Sequence, residues 1–245
     1  MTPLTLTYDS ENELKLDLYL PEAENPHLFI FMHGGGLEAG DRSCPRTLFD
    51  KLADDGIAVA SLDYRMYPQA KFPAFIEDCA KAIAFLLNDK SRGFSRIYVG
   101  GSSAGAYLSM MLLFDRHYLG KYRLDPLGFD GWVLDAGQPT THFNVLRERG
   151  LDARLVRIDD AAPLWHITQN FTPIRPDRKL PMLLNIAASN DMPCRLEQLR
   201  LLNATLLHFG WPSDRLRFIY MNGYSHCEYD NLPVFAELIE SIILI

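Results

Sequence analysis

The sequence predicts an α/β protein with a mostly parallel central sheet and helices on both faces. Short apolar runs rich in β-branched and aromatic residues recur at 27–32, 57–62, 97–99, 132–134, 181–187 and 216–220. Between several of them, apolar residues fall at helical spacing, as with Ile76, Cys79, Ala80, Ile83, Leu86 and Leu87. Strands alternating with helices imply right-handed crossovers and a sheet covered on both sides. The 245 residues fit one large domain.

Residues 3–8 and 14–20 alternate apolar and polar side chains around the turn-forming 9–13, and predict an antiparallel edge pair. The run 27–32 is too short for a helix and suits a strand buried on both faces. It leads into His33-Gly34-Gly35-Gly36. A helix over 46–55 ends at Gly56, and the strand 57–62 runs into Asp63-Tyr64-Arg65. Pro73 opens the next helix from within its first turn, where a missing N–H costs little. Leu196, Leu199, Leu202 and Leu206 mark a helix ending at Gly210, and 231–245 a last, buried one.

Residues 138–180 fit the alternation poorly, with Pro139, Pro163, Pro173 and Pro176 as breakers. A stretch this long inside a compact domain is usually functional. It predicts a partly helical, cap-like insertion over the top of the sheet, with no second domain.

The net charge of −7 argues against a nucleic-acid surface. The four cysteines are widely spaced without a C-x-x-C pair, which favours free thiols and a cytoplasmic protein. Neither a secretory signal nor an apolar run long enough for a membrane span is present.

Gly101-Ser102-Ser103-Ala104-Gly105 follows a strand-like run and precedes a helical pattern at Leu108, Met111 and Leu112. The pentapeptide alone is a weak signal. Strand, sharp turn and helix together make it a nucleophile elbow with Ser103 at its apex. In open parallel sheets the site lies beyond the carboxyl ends of the strands, and three further groups sit at such ends. Gly35 and Gly36 can turn backbone N–H groups toward a developing oxyanion, with Ala104 after the serine as third donor. His33 precedes the serine and reads as structural. Asp191 follows the run 181–187 and is the candidate acid, against the ordinary use of such an Asp as a helix N-cap. Asp135 is the reserve, and Asp159 and Asp160 are weaker. His226, in the loop after 216–220, is the one histidine at a strand end downstream of Asp191. Cys227 beside it reads as packing.

The chain resembles the α/β-hydrolases, specifically the esterase/lipase branch that includes hormone-sensitive-lipase-like and small carboxylesterase families. The resemblance rests on His33-Gly34-Gly35-Gly36, Asp63-Tyr64-Arg65, Phe72-Pro73-Ala74 with Asp78, the 101–105 motif, Asp191 and His226. It implies a Ser103–Asp191–His226 triad, an oxyanion hole, and structural roles near the site for Asp63-Tyr64-Arg65 and Asp78. Leu37 stands where the family has Trp or Phe, and Ser102 where it often has Asp or Glu; both are expected to touch substrate. The short chain is more similar to small carbohydrate-acetyl or feruloyl esterases.

The expected activity is hydrolysis of a small-molecule carboxylic ester, with neither cofactor nor metal. Amide hydrolysis, of a peptidase or arylformamidase kind, and a non-catalytic binding module are the alternatives. Phe143, Trp165, His166 and Phe171 are candidate pocket residues. Arg147, Arg149, Arg154, Arg157, Arg175, Arg178 and Lys179 suggest attraction of an anionic substrate, against the commoner reading of a solvated charged face.

Overall fold

The computed structural model describes residues 1–170 and 179–244. Its strands are β1 (Leu4–Asp9), β2 (Leu14–Tyr19), β3 (Leu28–Met32), β4 (Ala58–Leu62), β5 (Ile97–Ser102), β6 (Gly131–Asp135), β7 (Met182–Asn190) and β8 (Leu216–Ser225). Its helices are α1 (Arg46–Asp54), α2 (Ala74–Asn88), α3 (Ala104–Phe114), α4 (His117–Gly120), α5 (Phe143–Glu148), α6 (Pro163–Asn170), α7 (Arg195–His208) and α8 (Pro233–Ile243). Among the described residues the strands form one sheet in the order β1-β2-β4-β3-β5-β6-β7-β8. β1 pairs antiparallel with β2, and β2 with β4; every other pairing is parallel. The α/β-hydrolase fold expected from the sequence is therefore present.

The continuous apolar character of β3 has a direct cause. Leu28, Ile30 and Met32 join the apolar cluster on the face covered by α2, α3 and α7, and Phe29 and Phe31 the cluster on the opposite face with α1 and α8. Successive side chains of a strand point to opposite faces, so a strand covered on both sides has no polar position to spare. α3 is buried along its whole length behind the sheet. Its Ser109 hydroxyl is satisfied by the Gly105 carbonyl at 2.9 Å.

Several boundaries differ from expectation. α2 begins at Ala74, with Pro73 just outside it. β7 continues to Asn190 and β8 to Ser225, past the apolar runs that announced them. Polar residues can continue both strands because the β7–β8 pairing carries on to Asn190 opposite Ser225. No helix among the described residues is long and apolar enough to cross a membrane.

In the stretch 138–170, α6 places Leu164 and Ile167 in the core, and the Tyr107 hydroxyl of α3 donates to the Ala161 carbonyl at 2.9 Å. This part is anchored on α3 by packing. Phe171, Pro173, Arg175, Pro176 and Arg178 lie outside the described residues.

Candidate active site

β5 ends at Ser102 and α3 begins at Ala104, leaving Ser103 alone between them at φ 54° and ψ −113°. This backbone conformation costs a non-glycine residue on the order of 1–3 kcal/mol and persists only when its surroundings enforce it. Here the enforcement is the close approach of β3. A Cβ on Gly105 would stand 1.8 Å from the Met32 carbonyl oxygen, and one on Gly101 2.4 Å from the same atom. The Ser103 N–H donates to the Asp135 carbonyl at 2.8 Å, fixing the turn to the end of β6.

Asp191 follows β7 and His226 follows β8, and the parallel pairing of these strands brings the two residues together above the sheet. The Ser103 hydroxyl donates to His226 Nε2 at 2.8 Å, and His226 Nδ1–H donates to Asp191 Oδ1 at 2.6 Å. Asp191 Oδ1 also accepts the Met192 N–H at 2.6 Å. The Asp191 side chain is only 1% exposed and that of His226 23%. The acid is thus sealed beneath a ring that solvent and ligand can reach.

The glycine run lies against this turn. A Cβ on Gly34 would be 3.3 Å from Ser103 Cβ, and one on Gly35 2.0 Å from the Ala39 carbonyl oxygen. Gly35 and Gly36 sit at φ 110° and 66°, where side chains are strained, and a Cβ on Gly36 would be 3.0 Å from the Phe143 ring. His33 holds the run from below. Its Nδ1–H donates to the Gly34 carbonyl at 2.7 Å, and its ring stacks on Tyr64 with centroids 4.3 Å apart. Burial pushes the imidazole pKa down, so His33 is neutral at physiological pH and structural. Arg65 makes two guanidinium bonds, at 2.8 and 2.7 Å, to the buried Asp78. That pair ties the chain after β4 to α2.

Asp135 is fully buried at the end of β6 and accepts the Tyr229 hydroxyl at 2.5 Å. Carboxylate oxygens of Asp135 and Asp230 and the Cys227 sulfur lie within 4.8 Å of one another. Burial, then the charge of Asp135, pushes the Asp230 carboxyl up to about 9. Burial also raises Asp135 and the Cys227 thiol. Asp230 therefore keeps a proton at neutral pH. The cluster connects the loop bearing His226 to the end of β6. Tyr229 and Asp230 carried no sequence signal, because their partner is nearly a hundred residues away in the chain.

A cavity of about 420 Å³ is lined by Gln138, Phe143, Leu155, Val156, Met192 and Arg195 among others, of which Met192 follows Asp191 in the chain and Phe143 stands against Gly36. Phe143 lines it. Leu37 and Ser102 do not: Leu37 is fully buried in the core, and Ser102 is buried beside Asp135 and Asp230. The positive φ of Leu37 turns its side chain into the core, and the strand alternation of β5 sends Ser102 beneath the turn. Trp165 is half-exposed on α6 and does not line this cavity. His166 is nearly buried, with Nε2 donating to the Asp160 carbonyl at 2.8 Å.

The arginines of the 138–170 stretch are spoken for. Arg147 pairs with Glu38, Arg149 with Asp159 and Asp160, Arg154 with Asp152, and Arg157 with Asp159. Arg195, which no sequence motif singles out, is a buried cation in the cavity wall.

The family model described as BD-FAE matches residues 16–121. The chain is 32% identical over 117 residues to the isoprenylcysteine alpha-carbonyl methylesterase ICME of Arabidopsis thaliana. That match takes in 46% of this chain and 27% of the relative, so the chain spans well under half of the curated protein it matches. Apo Thermogutta terrifontis esterase 2 superposes with a TM-score of 0.76 at 20% identity, covering 99% of this chain and 94% of that one. Esterase B from Lactobacillus Rhamnosis superposes with a TM-score of 0.74 at 18% identity, over 99% of this chain and 86% of that one.

Proposed function

We propose that this chain, an α/β-hydrolase by fold, is a serine esterase that cleaves carboxylic esters through an acyl-enzyme on Ser103. The observation that carries the reading is the unbroken path Asp191–His226–Ser103, with bonds of 2.6 and 2.8 Å. Neutral His226 carries its proton on Nδ1, because Asp191 accepts there. Nε2 is then free to take the Ser103 proton as Oγ attacks the ester carbonyl. The imidazolium formed is stabilised by the buried Asp191 carboxylate and returns the proton to the departing alcohol. Water enters by the same route and releases the acid.

The oxyanion of each tetrahedral intermediate is assigned to the amides of Gly35, Gly36 and Ala104. Ala104 is the first residue of α3, where backbone N–H groups lack intrahelical acceptors and the helix dipole favours negative charge. One such donor is worth about 3–4 kcal/mol of transition-state stabilisation. The substrates proposed are short acyl esters, acetylated or feruloylated carbohydrates among them. The methylesterase relative adds methyl esters to the proposed substrates.

Ser103→Ala is expected to abolish hydrolysis of p-nitrophenyl acetate and labelling by a fluorophosphonate probe, with the thermal transition unchanged. A variant that retains either reaction overturns the assignment. A wild-type chain that is labelled but cleaves only anilides would make the protein an amidase.

A further inference from the structure

Arg195 is a cation enclosed in an apolar wall. It opens α7 and is 5% exposed, and it lines the cavity with Phe143, Leu155, Val156 and Met192. Its guanidinium donates to the Ala136 carbonyl at 3.0 Å and to Gln138 Oε1 at 3.1 Å. Both acceptors are neutral. Among the described residues no carboxylate comes within ion-pair distance of it, whereas Arg154, which also lines the cavity, and Arg147, Arg149 and Arg157 elsewhere in the 138–170 stretch each have one.

Burial pushes the Arg195 pKa down, and the charge of Asp191, felt at a distance with no ion pair between them, opposes that only in part. A buried charge with no directly bonded counter-charge is costly, and structures retain it where something else compensates. The two neutral acceptors compensate in part, and they hold the guanidinium plane still. The first turn of α7 adds to the positive field, with Cys194 at its N-cap making no side-chain cap. The neighbouring His142 is buried, and burial together with Arg195 and Arg147 holds its imidazole neutral, so it supplies no negative charge. The overall charge of −7 disfavours anions at long range, so any preference for one has to be local.

The cavity also borders segments that carry the reacting groups. Met192 follows Asp191 directly, and the Phe143 ring touches the space beside Gly36. Ala136, whose carbonyl receives Arg195, follows Asp135, whose carbonyl receives the Ser103 N–H. A ligand running from Ser103 into the cavity would have its middle against Leu155, Val156 and Met192.

We propose that this cavity selects esters that carry a carboxylate several bonds from the scissile bond, and that Arg195 is the residue that pairs with it. The proposal rests on the esterase reading and adds a substrate class to it. A planar guanidinium fits a carboxylate in a two-bond fork, and charged hydrogen bonds of this kind are roughly twice as strong as neutral ones.

The test compares mono-4-nitrophenyl glutarate with 4-nitrophenyl pentanoate, which have acyl chains of equal length. 3-Acetoxybenzoate and phenyl acetate place the same difference on the alcohol side. The wild-type protein is expected to favour one carboxylate-bearing ester by about ten- to a hundredfold in kcat/KM, the range that one charged hydrogen-bond pair spans. Whichever pair shows the preference identifies the side that occupies the cavity. Arg195→Gln and Arg195→Lys should shrink that ratio, Lys less than Gln. Equal losses on charged and neutral esters would mean that Arg195 acts only through Asp191 and would overturn the proposal, as would a wild-type preference for both neutral esters. Calorimetric titration of the wild-type protein with glutarate and with pentanoate needs neither turnover nor a variant that folds. Glutarate binding tighter by the same factor supports the site even if no ester is cleaved; equal binding sinks it even if esters are.

Discussion

The Tyr229 hydroxyl donates to Asp135 Oδ1 at 2.5 Å and so links the loop carrying His226 to the strand end beside Ser103. Through its backbone carbonyl, Asp135 also receives the Ser103 N–H. One buried residue therefore fixes the positions of two side chains that must meet. No hydrogen bond among the described residues runs from the Asp135 carboxyl to the imidazole, which distinguishes a positioning role from that of the acid.

That distinction can be measured. Asp191→Asn removes the carboxylate that orients Nδ1–H and is expected to lower kcat about ten-thousandfold. Asp135→Asn keeps the shape and an acceptor for Tyr229, and should lower kcat by less than about tenfold while shifting the melting temperature. Turnover of p-nitrophenyl acetate and a thermal melt of each variant decide between them. The reverse ranking would move the acid to the end of β6.

Gly105 and Gly150 separate close approach from backbone strain. Gly105→Ala puts a methyl 1.8 Å from the Met32 carbonyl oxygen, a backbone atom that cannot swing away. The loss of stability should reach or exceed about 3 kcal/mol, the upper end for overpacking. Gly150 has φ 72° and open space around its missing Cβ, so Gly150→Ala should cost only about 1–2 kcal/mol. Urea unfolding of both variants reads the difference.

Phe143→Ala removes the ring that stands 3.0 Å from the space beside Gly36. The cavity then widens next to the glycine run. Longer acyl esters should gain on acetate by roughly tenfold in kcat/KM, since one or two methylenes in an apolar pocket are worth about 1–3 kcal/mol. An unchanged chain-length profile would place the acyl group elsewhere.

The positions of Ser103, Asp191 and His226 at strand ends were legible because the elements that carry them have local patterns. Apolar runs marked β5, β7 and β8, and topology alone brings their carboxyl ends to one edge. The side-chain environment was not legible in the same way. Leu37 looked like a pocket residue because it follows the glycines, yet its positive φ turns it into the core. Ser102 adjoins the apex serine in sequence, but strand alternation sends it to the opposite side. Arg195 offered no pattern at all. Its burial depends on Ala136 and Gln138, almost sixty residues earlier in the chain.

The protonated Asp230 carboxyl gives a prediction with a definite sign. Folding raises its pKa to about 9, first by burial and then by the nearby Asp135 charge. In the unfolded chain it titrates near its ordinary value of about 3.9. Between these limits the native state holds a proton that the unfolded state has lost, so stability falls as pH rises. The contribution is whole below about pH 4 and gone above about pH 9. Asp230→Asn keeps a polar group of the same shape beside Asp135 but has no proton to lose. Relative to wild type, the variant should gain stability steadily from about pH 4 upward and level off near pH 9, when both are followed by thermal unfolding. Comparing the two chains cancels the titration of every carboxylate that does not interact with Asp230; Asp135 does interact and titrates together with it. Curves that stay parallel across this window would show that the loop bearing His226 is held to β6 by something other than a retained proton.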